Sequence, residues 1–168
     1  MKYKTYDIIK RNISSILKTK KRGVRMILGI NPYLVLDGSG QEAVQFYKEA
    51  LDAKVEVIQT FGEMPENPEY PIPDEAKERV LHAHLKVGNT ELMISDTFPG
   101  QGHTIGSQVT IAVKVSTVEK AREVFEKLQD GGEVIMPLQE TFWSPAYGQV
   151  KDKFNIEWQV TTSTTEQK

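Results

Sequence analysis

The chain carries one pattern twice, and that repeat limits its possible folds more than any single residue does. Without a gap, YLVLDGSGQEAVQFYKEAL from Tyr33 lies over IAVKVSTVEKAREVFEKL from Ile111. Tyr33 and Val35 match Ile111 and Val113, in the alternating pattern of half-buried strands. Ala43, Phe46, Tyr47 and Ala50 match Ala121, Val124, Phe125 and Leu128. Both sets fall at i, i+3, i+4, i+7, the apolar stripe of an amphipathic helix. Helices are expected over Gln41–Leu51 and Val118–Gln129. A small-residue break follows each one, Asp52-Ala53 or Gly131-Gly132, and then a strand over Lys54–Phe61 or Glu133–Phe142. Two more strand-like runs complete each unit. The expected fold class is α+β, with tandem βαβββ modules at about residues 27–96 and 107–161.

The module ends read as hairpins. Gly88-Asn89, between Val80–Val87 and Thr90–Asp96, is a two-residue turn signal. With Val87 opposite Thr90, counting back sets Leu85 against Leu92 and Ala83 against Ile94 on one apolar face. Lys86 then meets Glu91, His84 meets Met93 and His82 meets Ser95 on the other face, with Glu91 at the exposed hairpin end. In the second module AYGQV and Asn155–Val160 flank a turn at Lys151–Phe154. There Ile156, Trp158 and Val160 share one side, and Glu157 and Gln159 the opposite one. Each hairpin offers an apolar side to its helix and a second side that carries polar groups.

Composition narrows the function classes. At 168 residues the chain is one domain's worth, and zero cysteines exclude a disulfide framework, a thiol nucleophile and a cysteine metal site. No apolar run approaches the ~20 residues of a membrane span. A net charge of −2 argues against a nucleic-acid partner, and the expectation is a cytoplasmic protein without membrane contact. The charge is unevenly spread: residues 1–25 hold nine Lys or Arg against the single acid Asp7, while the remainder carries −10. Ile9, Ile13, Ile16 and Leu17 recur at helical spacing within this basic arm. The arm is read as an appendage to a domain at 26–161, with a polar tail at 162–168. Gly62–Arg79, with four prolines and six acids, is not regular structure throughout; it is long enough for a lid, although a solvated connection between strands is the simpler reading.

Two βαβββ units in tandem, together with NPYLVLDGSGQEAVQFYKEAL, VLHAHL, ELMISD and GGEVIMPLQETFWSPAYGQVKDKFNIEWQV, resemble the vicinal oxygen chelate superfamily of glyoxalase I, bleomycin-resistance proteins and extradiol dioxygenases. The nearer resemblance is to its PhnB-like branch, and it spans about residues 27–161. It implies cupped mixed sheets around a cleft, a small-molecule ligand and a homodimer. The pattern departs at Lys153 and Asn155, where the branch usually has proline and glycine. Asparagine tolerates a left-handed backbone, so the turn is expected to survive.

The resemblance places metal ligands, where a member has them, at or near Pro32, Met93, Thr110 (with Gln108 nearby) and Gln159. Proline offers no side-chain ligand, and thioether and hydroxyl are poor ligands for a hard ion. The expectation is therefore no metal and no cofactor. Ligand-binding candidates are His82, His84, Met93, Ser95, Trp143, Tyr147 and Gln159. His82 and His84, spaced i, i+2, point to one side of their strand, as an acid–base pair would, or as solvated cross-strand partners would. Glu157 is the carboxylate expected on the same side as Gln159. Phe98, Phe142, Trp143 and Tyr147 suit an apolar ligand wall or ordinary packing at strand ends. His103 lies in a glycine-rich linker and reads as a loop residue. Two functions stay open: a metal-free small-molecule binder, and a lyase- or isomerase-type enzyme using His82, His84 or Glu157, metal-assisted if Gln108 and Gln159 are recruited.

Overall fold

The computed structural model describes residues 29–69 and 71–163. The basic arm at 1–25 and the tail beyond Ser163 lie outside the described residues. In chain order the elements are β1 (Tyr33–Leu36), α1 (Gly40–Ala50), β2 (Lys54–Thr60), a 3-10 turn (Phe61–Glu63), a short α2 (Asp74–Lys77), β3 (Val80–Val87) and β4 (Thr90–Asp96). The second unit follows as β5 (Ile111–Val115), α3 (Val118–Leu128), β6 (Glu133–Thr141), β7 (Ser144–Lys151) and β8 (Glu157–Thr162). The strand orders are β1-β4-β3-β2 and β5-β8-β7-β6, so the two sheets have the same order. In each the module's first strand lies parallel to its last. The tandem βαβββ expectation holds, although β8 runs on to Thr162, one residue past the expected edge of the domain.

The first hairpin has the register counted from its turn: Val87 faces Thr90, Leu85 faces Leu92, His84 faces Met93 and Ala83 faces Ile94. Gly88 has φ 55 while Asn89 has no positive φ, the type II′ arrangement whose first position favours glycine. Asn155 takes φ 64, so the turn before β8 survives without the glycine. Glycine has a different use at Gly148, where an added Cβ would come 2.7 Å from the Phe125 ring and block the approach of α3 to β7.

Capping fixes where the helices start. Thr117 accepts the backbone N–H of Lys120 at 3.1 Å, an N-cap for α3. The buried Asp96 carboxylate does the equivalent work for α1, accepting from the backbone N–H of Gly38, Gly40 and Val80 at 2.8, 2.9 and 2.7 Å. On α3 the expected stripe, Ala121, Val124, Phe125 and Leu128, is buried. On α1 the buried set is Ala43, Val44, Tyr47 and Ala50, and Phe46 is only partly covered. Phe46 instead meets Phe154 edge to face, under the Lys153 ammonium that also pairs with Glu42.

Both sheets bury their helix-side residues in one continuous core, from Leu34, Leu85 and Ile94 to Val150, Trp158 and Val160. Its polar centre is Asp152. That carboxylate, 3% exposed, accepts from the Tyr47 hydroxyl at 2.6 Å, Trp158 Nε1 at 2.7 Å, and the backbone N–H of Phe154 and Ile156 at 2.9 and 3.0 Å. Burial and the adjacent Asp152 charge push the Tyr47 hydroxyl far above its ordinary value of 10.0.

Tyr47→Phe leaves the buried carboxylate one donor short and is expected to cost ~1–3 kcal/mol by urea titration. A phenol that holds its proton more tightly when folded stabilises the chain fully below the unfolded value of 10.0, and that contribution is lost as pH rises toward the higher native value. The native chain should therefore lose stability above pH 10.0 more steeply than Tyr47→Phe, which unfolding curves across that range will show.

Candidate functional site

Because both sheets turn their apolar faces to a shared core, their alternate residues point away from it. The candidate residues divide between these two outward faces. On the first sheet stand His82, His84, Met93 and Ser95, all partly exposed, and β1 adds Tyr33 and Val35 beside them. On the second stand Tyr147, Gln159 and Glu157, with Trp143 at the β6–β7 tip. Among the described residues no hydrogen bond, ion pair or ring contact joins the two groups. A histidine and Glu157 therefore do not face one another within one chain, as a shared acid–base site would require. Glu157 instead pairs with Lys151 at 3.7 Å.

The first face is charged. The Tyr33 hydroxyl lies 3.2 Å from His82 Nδ1, with the rings 5.9 Å apart. His84 Nε2 lies 3.5 Å from a Glu91 carboxylate oxygen, which also accepts from Asn31 Nδ2 at 3.2 Å. Glu91, expected at an exposed hairpin end, keeps 40% of its side chain exposed but is engaged by Asn31 beside His84. Opposite His84, β2 has a register shift between Val55 and Val57 that inserts Glu56, which pairs with Lys54 at 2.9 Å. The Lys54 ammonium, and more weakly His84 and Lys86, hold the Glu56 carboxyl below the usual carboxylate range.

On the second face a neutral hydrogen-bond network runs beside the Lys151–Glu157 pair. Gln149 Nε2 donates to the Tyr147 hydroxyl at 2.7 Å, that hydroxyl donates to Gln159 Oε1 at 2.9 Å, and Gln159 Nε2 donates to Thr110 Oγ1 at 2.7 Å. Trp143 stands edge-on to Tyr147 with centroids 5.5 Å apart, and Phe142, 96% exposed, leans on Trp143. Phe98 does not join this wall, since it packs against Phe61 at the far end of the first module. His103 is more than a passive loop residue: its Nε2–H donates to the Val35 carbonyl at 3.0 Å and ties the linker to the free edge of β1.

The superfamily's metal fits these residues poorly. Pro32 contributes only backbone, and the Gln159 amide already has its carbonyl bonded to Tyr147 and its N–H to Thr110. Among the described residues no three His, Asp or Glu side chains gather as a metal-binding cluster. Asn31, Tyr33, Glu91, Thr110 and Gln149 also belong to the two faces, beyond the ligand contacts expected from the sequence. Gln149 is within reach of that expectation, because it sits opposite Gln159 when β7 is counted back from the turn.

Comparison with known proteins agrees with this architecture. Residues 29–160 match the Glyoxalase/Bleomycin resistance protein/Dioxygenase superfamily. Protein YjdN of Escherichia coli K12 is 30% identical over 140 residues, covering 78% of this chain and 92% of its own. The crystal structure of protein PA1353 from Pseudomonas aeruginosa superposes with a TM-score of 0.72 at 34% identity, over 82% of this chain and 98% of that one. A PhnB protein from Bacillus cereus gives a TM-score of 0.66 at 26% identity, over 80% and 98%. With its two βαβββ modules, each turning a chemically distinct face outward, this chain belongs to the Glyoxalase/Bleomycin resistance protein/Dioxygenase superfamily.

Proposed function

We propose that the chain binds a small organic molecule, without metal, in a cleft whose two walls are the first sheet of one copy and the second sheet of another. The observation that carries this reading is the outward placement of both polar faces around one shared core. Either face alone is an open wall. Apolar side chains are left uncovered there: Tyr33 and Val35 on the first, Trp143 on the second, each between 45% and 47% exposed. Exposed aromatic and aliphatic groups beside fixed polar ones are what a ligand wall needs. A homodimer related by a two-fold axis would supply both missing walls at once.

The metal-free part of the reading rests on the donor set. The Gln159 carbonyl, already accepting from Tyr147, is a neutral donor, and Pro32, Met93 and Thr110 at the other inherited positions add no carboxylate or imidazole to hold a hard cation with it. Among the described residues no helix is long and apolar enough to cross a membrane, and the expected setting of this binder is the cytoplasm. The lyase- or isomerase-type alternative draws its support from the first face, where His82 touches a phenol and His84 a carboxylate.

Native mass spectrometry of the full chain, purified without chelator, should show two chains together with any co-purifying small molecule. A monomer at high micromolar concentration would sink the two-copy cleft. Elemental analysis after dialysis should find no stoichiometric Zn, Ni, Fe or Mn, whereas one tightly held ion per chain, lost in Gln159→Ala, would overturn the metal-free reading. For a ligand found by thermal-shift screening, calorimetry on Trp143→Ala should show binding weakened by ~1–3 kcal/mol. Glu126→Ala, on the exposed side of α3, should leave it unchanged.

A further inference from the structure

One atom on the first face lacks what its burial demands. His84 Nε2 is sealed from solvent without a hydrogen-bond partner, the single such side-chain atom among the described residues. A buried polar atom left unmet costs ~1–3 kcal/mol, so its setting calls for a reason. The Glu91 carboxylate oxygen 3.5 Å away is too far for a hydrogen bond as it stands, yet well placed to become its acceptor. Catalytic hydrogen bonds are often this long before a ligand is bound. That same oxygen is held by Asn31 Nδ2 at 3.2 Å.

Three neighbouring segments bring the groups together. His84 on β3 faces Met93, and Glu91 lies diagonally across on β4, within reach of a long side chain. The parallel β1–β4 ladder is extended by the Met93 N–H donating to the Pro32 carbonyl at 3.1 Å, which sets Asn31 beside Glu91. The other charged groups near the ring are Lys86 on β3, and Glu56 with its partner Lys54 on β2. From β1 the nearby titratable group is Tyr33, which is engaged with His82.

We propose that Asn31, Glu91 and His84 form a positioning relay that makes His84 Nδ1 the proton acceptor for a ligand bearing a weakly acidic O–H or N–H. Glu91 takes the Nε2–H, so the neutral ring carries its lone pair on Nδ1, and Asn31 holds the carboxylate in place. No protein group among the described residues hydrogen-bonds Nδ1, and it is not among the sealed atoms. If the proton transfers, it passes from the ligand to Nδ1 while the bonding pair stays on the ligand's oxygen or nitrogen. The imidazolium so formed is stabilised by the Glu91 charge. Glu91 and Asn31 are positioning residues, and His84 is the group that would touch the ligand. The proposal deepens, and rests on, the reading of the first face as a ligand wall.

The test uses the full chain labelled with 15N, with ring nitrogens read by two-bond 15N–1H correlation about two pH units above the ordinary imidazole value of ~6.5. Native His84 should be a single Nε2–H tautomer with a slowly exchanging ring proton. In Glu91→Ala that proton should be lost to exchange and an Nδ1–H population should appear, with a smaller change of the same kind in Asn31→Ala. His103 is the internal control, because a carbonyl can only accept and its Nε2 must carry the proton in every variant. A native His84 in the Nδ1–H form overturns the proposal whatever the variants do. So does an unchanged tautomer in Glu91→Ala with the His103 signal intact. No ligand enters this experiment, so a chain that binds nothing yet shows the tautomer pattern would refute the cleft and leave the relay standing.

Discussion

The geometry of the molecule turns on one buried carboxylate. Removing Asp152 from water is tolerable only because four donors meet its two oxygens, and those donors come from different parts of the chain. The Tyr47 hydroxyl belongs to the first module's helix, while the Trp158 indole and the two amides belong to the second module's last hairpin. A phenol reaching across a domain to complete the shell of a buried anion has few alternative positions. That anchor holds the modules with their apolar sides together and their polar sides out. Lys153 adds to it from the same turn, pairing with Glu42 while lying over the Phe46 and Phe154 rings. Lys153 thus has a role in joining the modules.

The two outward faces differ in kind. The first sets histidines among Glu56, Glu91, Lys54 and Lys86, side chains of both charge signs. The second is a directed line of amides and hydroxyls from Gln149 to Thr110 in which each bond polarises the next, with no charged member. A cleft walled by one of each would set a side rich in charges against a side built around this dipolar line.

Local pattern made much of this legible. The helix stripes, the Gly88-Asn89 turn and the β3–β4 register follow from periodicity and from counting, and so does the placement of His82, His84 and Met93 on one face. Non-local pairing was harder to read. Nothing in the hairpin arithmetic says which strand lies beside β1, and that parallel pairing is what brings Asn31 and Tyr33 to the histidines. Glu56 reaches His84 through a register shift that alternation cannot show. The α1 stripe put Phe46 in the core where Val44 lies, because Phe46 is drawn to Phe154 and Lys153 of the other module. Residue type alone groups Phe98 with Trp143, whereas its neighbour is Phe61, in the 3-10 turn after β2.

Along β3, β4, β7 and β8, stability and chemistry occupy alternate positions of the same strand. Leu85 holds the core and His84 faces out, and Val160 and Gln159 divide the work in the same way. Point changes at the outward positions can rewrite the exposed surface while the core residues stay as they are. The insertion or loss of one codon inside these strands is a different event. It would carry Leu85 or Trp158 into solvent and drive a histidine or an amide into the core, exchanging the two sets in a single step. A lineage built on this chain can therefore change its outward chemistry by substitution, while its strand lengths are held nearly fixed.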